Sequence, residues 1–156
     1  MNNLFASISE TKHLNLKGLH SHIGSQIFEL DPHRDLGEIM VNIILDAKKY
    51  GHDIKELNLG GGLGIKYTAS DDPPSIEEWV KTISSSVVQA CKKNDLDLSV
   101  LMCEPGRSIV STAGITIYKI GAFKEIPGIR TYLSVDGGMS DNPRPVSYTH
   151  LTLPTS

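Results

Sequence analysis

An α/β fold built on parallel strands is the architecture this 156-residue sequence predicts, and two observations predict it. Strand-type and helix-type segments alternate through most of the chain, and each cluster of chemically capable residues stands at the C-terminal end of a predicted strand. Such alternation implies parallel strands joined by right-handed helical crossovers, and the C-terminal strand edge is where these folds keep their active sites. Three strands cannot close a barrel, so the segment is either a small open sheet or part of a larger α/β barrel.

The elements follow in order. Residues 16–23, LKGLHSHI, form a short strand that ends at the turn pair Gly24 and Ser25. From Asp31 to Tyr50 the apolar residues Leu36, Ile39, Met40, Ile43, Ile44 and Ala47 keep helical spacing, and Gly51 is placed as a C-terminal stop. Ile54 to Leu59 is a second strand, followed at once by Gly60-Gly61-Gly62-Leu63-Gly64. Ser75 with Glu78 three residues on is a capping box, and Ile76, Trp79, Val80, Ile83, Val87 and Cys91 give the helix behind it one apolar face. A third strand, Leu98 to Cys103, runs into Glu104-Pro105-Gly106-Arg107. ITIYKIGAF and TYLSVDGGM then read as strands with no helix between them.

Composition narrows the function classes. With 39% hydrophobic and 21% charged residues the chain is expected to be globular rather than disordered. Fifteen basic against eighteen acidic side chains give a net charge of -3 without any Lys/Arg run, which argues against a nucleic-acid partner or a membrane surface. No apolar run approaches the ~20 residues of a membrane helix, and the N-terminal stretch has no signal-peptide pattern. Two cysteines, Cys91 and Cys103, are too few for a disulfide framework, and a cytoplasmic setting is expected.

Four constellations can carry chemistry. Gly60, Gly61 and Gly62 lack Cβ atoms, so their N–H groups can turn toward an anion such as a phosphate; the plain alternative is a tight strand-to-loop turn. His20 and His22 alternate along a strand and share one face. They are a metal pair, or one stacks on a flat aromatic cofactor while the Gly24–Ser25 turn donates hydrogen bonds, or both are structural. Glu104 and Arg107 either bridge each other or face a basic ring nitrogen and an anion, respectively. Asp136-Gly137-Gly138-Met139 with Arg144 is a glycine turn followed by a cation.

The joint order of GLHSHIGSQ, LNLGGGLGI, CEPGR and VDGGMSDNPRP, over about residues 14–145, resembles the pyridoxal-phosphate-dependent decarboxylases of the alanine-racemase-like barrel type. HIGSQ and GGGLGI favour the diaminopimelate branch over the ornithine and arginine branches. The resemblance implies a (β/α)8 TIM-type barrel, here its later strands in residues 1–107, with residues 108–145 completing it and starting a β domain. It implies conversion of meso-diaminopimelate to L-lysine and carbon dioxide, in a homodimer; another amino acid such as ornithine, arginine or carboxynorspermidine is the second reading. Further off stand a metal-dependent barrel hydrolase using His20 and His22 and a non-catalytic phosphate-binding module.

By the same resemblance His22 stacks on the cofactor ring, Ser25 and the glycines Gly60, Gly61 and Gly62 hold the phosphate of pyridoxal 5'-phosphate, and Glu104 bonds the ring nitrogen. Gly106 and Arg107 belong to the phosphate and substrate neighbourhood, and Arg144 clamps the substrate carboxylate. Tyr148 falls where the family has a substrate-binding tyrosine, with Ser147 in place of the usual leucine. The family's Schiff-base lysine and second-domain cysteine have no match here, so the chain is expected to be an internal fragment without activity of its own. Residues 146–156 match no family pattern and are taken as foreign or frame-shifted. Cutting after Pro145 should therefore leave solubility and compactness unchanged; size-exclusion elution and far-UV circular dichroism of the shortened chain check this.

Overall fold

The computed structural model describes residues 2–98, 100–138 and 140–141, so the expectations for Arg144, Tyr148 and the 146–156 tail lie outside the described residues. The chain divides after Ala113 into two units. The first contains α1 (Asn2–Ser9), β1 (Gly18–His20), α2 (Asp31–Lys48), β2 (Glu56–Asn58), α3 (Ile76–Lys93), β3 (Val100–Met102) and the short helix α4 (Gly106–Val110), which continues into a 3-10 turn over Ser111–Ala113. Its three strands are parallel and stand in the order β1-β2-β3, with Leu19, Leu57 and Leu101 in register. The alternating pattern thus yields the mixed α/β fold expected of it, with strands trimmed to three residues each.

The capping box forms as its spacing requires. Ser75 takes an extended conformation, its Oγ accepts from the Glu78 amide at 3.1 Å, and the Glu78 carboxylate accepts from the Ser75 amide at 2.9 Å. These bonds from Ser75 hold the Glu78 carboxyl below its ordinary range. The apolar stripe of α3 is narrower than the periodicity implied. Trp79, Ile83, Val87 and Ala90 are buried, whereas Ile76 and Val80 stay 45% and 43% exposed. Val80 stands about 100° around the helix from Trp79, outside the contact with α2.

On α2 the buried face is Leu36, Met40, Val41, Ile44 and Ala47, while Ile39, expected inside, is 54% exposed. The face turns toward Val41 because α2 packs on α3 as well as on the sheet. Gly37 makes that contact possible: a Cβ there would stand 2.6 Å from Ser86 Oγ, which itself donates to the Arg34 carbonyl. Gly51, at φ +85°, follows the helix in the left-handed conformation suited to a stop. Helix α1 has no counterpart in the sequence reading, since a single residue, Phe5, carries its burial. The Phe5 ring lies 6.2 Å from Tyr50, and His52 ties the Phe5 carbonyl at 2.9 Å.

The second unit contains an antiparallel hairpin, β4 (Ile120–Ile126) and β5 (Arg130–Val135), turning at Gly128 with φ +72°. The predicted strand at 115–123 thus begins five residues late, at Ile120. As expected, no helix separates β4 from β5; the short helix α4 and the 3-10 turn, which the sequence reading did not assign, occupy Gly106–Ala113 ahead of both. Both cysteines are free thiols. No helix among the described residues is long and apolar enough to cross a membrane.

His33 is the one buried polar residue of the core among the described residues, 1% exposed, set edge-on to Trp79 at 5.6 Å. Neither ring nitrogen has a hydrogen-bond partner among them. Burial first, and the nearby His22 second, push its pKa below the ordinary value. The unfolded chain therefore takes up a proton near pH 6.5 that the folded chain refuses, and stability falls as pH drops below that point. His33→Phe should stabilise the chain by about 1–2 kcal/mol, by removing two unpaired buried nitrogens, and should flatten the fall between pH 7 and 5. Urea unfolding at the two pH values measures both effects.

Candidate functional site

The backbone ladder does not stop where the strands end. Beyond β1, β2 and β3, the Ser21 amide bonds the Asn58 carbonyl at 3.0 Å and the Leu59 amide the Met102 carbonyl at 3.1 Å. The Glu104 amide donates to Gly60 at 2.7 Å, and the Ile27 amide to Gly62 at 2.9 Å. Three strand-end segments, 21–27, 58–65 and 102–107, are thereby laid side by side. Glycine is required in the middle one. A Cβ on Gly61 would collide with the Glu104 carbonyl, and one on Gly62, which sits at φ +101°, would stand 2.5 Å from the Gly24 carbonyl.

Strand register sets the side chains. His20, Asn58 and Met102 are cross-strand neighbours, on the face opposite the buried Leu57 and Leu59, and Glu104 lies two residues beyond Met102. Asn58 Nδ2 donates to Glu104 Oε1 at 2.7 Å while Asn58 Oδ1 accepts from the Gly60 amide at 2.8 Å. One amide therefore joins the carboxylate to the glycine run. His20 Nε2 lies 3.6 Å from the other Glu104 oxygen. His22 Nδ1 accepts from the Gly61 amide at 3.2 Å, which leaves the proton of the neutral ring on Nε2. In the same cluster of loops Arg107 Nη1 donates to Gln26 Oε1 at 3.1 Å, and its guanidinium carbon lies 5.9 Å from the Tyr67 ring centroid.

Of the residues singled out by sequence, His20, His22, Gly60, Gly61, Gly62 and Glu104 come together at this strand edge, and Arg107 stands beside them on α4. Ser25 is exposed between Gly24 and Gln26, and Gly106 has open space where a Cβ would be. Two alternatives from the sequence reading are corrected. Glu104 does not pair with Arg107, because Asn58 and His20 take the carboxylate while Gln26 takes the guanidinium. His20 and His22 do not converge on one point: one faces Glu104, the other the Gly61 amide, and no group of three metal-type ligands exists among the described residues. Asn58, Gln26 and Tyr67 went unassigned in the sequence. Asn58 had a readable signal, as the polar residue between two strand leucines directly before the glycines. Gln26 and Tyr67 had none, since the partners of Gln26 are 39 or more residues distant and that of Tyr67 stands on α4.

Comparison with known proteins identifies one family. Residues 2–111 match the family model described as the pyridoxal-dependent decarboxylase, pyridoxal binding domain. A diaminopimelate decarboxylase from Synechocystis is 54% identical over 145 residues, covering 93% of this chain and 31% of that protein. One from Bacillus subtilis is 41% identical over 152 residues, 90% of this chain and 32% of the relative. Among solved structures, diaminopimelate decarboxylase from M. jannaschii in complex with L-lysine aligns with a TM-score of 0.70 at 33% identity, over 90% of this chain and 32% of that one. The Helicobacter pylori enzyme complexed with L-lysine gives 0.69 at 28% identity, over 96% and 35%. This chain thus spans about a third of the length of the relatives it matches.

The close approach at Gly61 makes a prediction. Gly61→Ala drives a methyl into the Glu104 carbonyl, and forcing backbone apart at a packed site costs roughly 1–3 kcal/mol. Urea unfolding of the variant should show a loss of that size, whereas Gly106→Ala, with open space around it, should change stability far less.

Proposed function

This chain belongs to the pyridoxal-dependent decarboxylase family through the pyridoxal binding domain, and on that premise we propose that it supplies cofactor-binding residues of a diaminopimelate decarboxylase. The substrate would be meso-diaminopimelate, the products L-lysine and carbon dioxide, the cofactor pyridoxal 5'-phosphate. The observation that carries the reading is the orientation of Glu104. Its carboxylate is held by Asn58 at the same strand edge as the glycine run, with the His22 ring bonded to that run.

The residues present suit such a group. The Gly62 amide and the Ser25 hydroxyl have no protein partner among the described residues, and Arg107 carries a positive charge bonded only to a neutral amide. These are donors for a phosphate. The amides of Gly60 and Gly61 are taken by Asn58 and His22, so their part is to let the loops approach and to orient those two side chains. His22 offers a flat neutral ring, and the Glu104 carboxylate is the group that would keep a proton on a pyridine nitrogen. Bound pyridoxal phosphate supplies the sink for the electron pair left when carbon dioxide departs. Arg144 is assigned to the substrate.

The same reading places the parallel β1-β2-β3 sheet among the later strands of a (β/α)8 barrel over residues 1–107, with 108–145 leading into a β domain and 146–156 foreign to the fold. It makes the complete enzyme a cytoplasmic homodimer, with the Schiff-base lysine and the cysteine supplied by residues outside this chain. In that complete enzyme Glu104→Gln should lower turnover about 10²-fold, equivalent to about 2.7 kcal/mol of barrier, with a smaller change in cofactor affinity. The amide cannot retain the ring proton, so the loss falls on the transition state. Carbon dioxide release and the pyridoxal phosphate titration of the variant check this, and full turnover would reduce Glu104 to a structural partner of Asn58 and His20.

A further inference from the structure

We propose that Gln26 is a positioning residue, which aims the Arg107 guanidinium at the anion end of the site without neutralising it. The inference rests on the phosphate-site reading above and names what makes that site work. Gln26 sits at φ +60°, a left-handed conformation that costs a non-glycine residue about 1–2 kcal/mol. Its side chain is what uses that position. Nε2 donates to the Ile65 carbonyl at 2.6 Å, and Oε1 accepts from the Ile65 amide at 3.2 Å. The side-chain amide thus pairs with a backbone residue as a strand would, and this double bond pattern settles which end is oxygen and which nitrogen. The same Oε1 then accepts from Arg107 Nη1 at 3.1 Å. Three chain segments meet on one side chain: the loop after β1, the loop after β2, and α4.

A neutral acceptor matters here. A carboxylate at this position would hold Arg107 in the same place but cancel its charge, and would set an acceptor oxygen against the Ile65 carbonyl where Nε2 now donates. Glutamine orients the cation and leaves its charge for a ligand. The Tyr67 ring centroid lies 5.9 Å from the guanidinium carbon, and Arg107 has further N–H donors beyond the one given to Gln26. Gln26 itself touches no ligand in this account.

The test uses the full chain, with inorganic phosphate and pyridoxal 5'-phosphate titrated calorimetrically. Gln26→Gly keeps the left-handed backbone at no steric cost and removes the side chain. Gln26→Glu keeps the length and changes the charge. Gln26→Gly should weaken binding of both probes about tenfold and Gln26→Glu by more, with circular dichroism unchanged. In an Arg107→Ala background Gln26→Gly should not weaken binding further, because Gln26 acts through Arg107. Equal affinity of Gln26→Gly and the unaltered chain, an equal loss in the Arg107→Ala background, or no binding of either probe overturns the proposal. If the Gln26-dependent binding is found but the complete enzyme releases no carbon dioxide from diaminopimelate, the proposed function fails and this inference stands. If carbon dioxide is released and Gln26→Gly binds normally, only the inference fails.

Discussion

Backbone hydrogen bonds that run past the ends of three short parallel strands hold the rest of the site in place. Strands of three residues are weak positioning devices by themselves. Here the pairing continues from Asn58 to Ser21, from Gly60 to Glu104 and from Gly62 to Ile27, so loops that would otherwise wander are bonded as firmly as strands. The condition for that continuity is the absence of side chains at Gly61 and Gly62, where neighbouring backbone atoms occupy the space a Cβ needs. The glycine run therefore serves packing first, and its contribution to anion binding follows from the shape that packing imposes.

On that frame the two charges of the site are each steered by an amide. Asn58 holds Glu104 and Gln26 holds Arg107. An opposite charge in either place would bind more strongly but would also satisfy the group it orients, leaving nothing for a ligand. Glu104 and Arg107 stand three residues apart and could have bridged each other. Their separate amide partners prevent that neutralisation and keep a carboxylate and a guanidinium available at different ends of one edge.

The core beneath holds His33 edge-on to Trp79, and neither the two ring nitrogens of His33 nor the Trp79 indole nitrogen finds a partner among the described residues. Burial first, and the nearby His22 second, hold the His33 pKa below its ordinary value, so a residue of the site also bears on a residue of the core.

The residue order of this chain determined its elements where the deciding interactions are local. The Ser75–Glu78 cap, the extent of α2 up to Gly51, and the placement of His22, the glycines and Glu104 after strands all depend on residues within a few positions of one another. The local pattern could not settle which of several apolar residues face inward, because Ile39 and Val80 obey the helical period as well as Val41 does. Only the crossing of α2 on α3 chooses among them. Nor could it tell what Asn58 and Gln26 hold, since those partners are 46 and 81 residues away. Hydrogen bonds between distant segments exist only once parallel pairing has set the register, and that register, not the motif order, decides which polar atoms are used up inside the protein and which are left for a ligand.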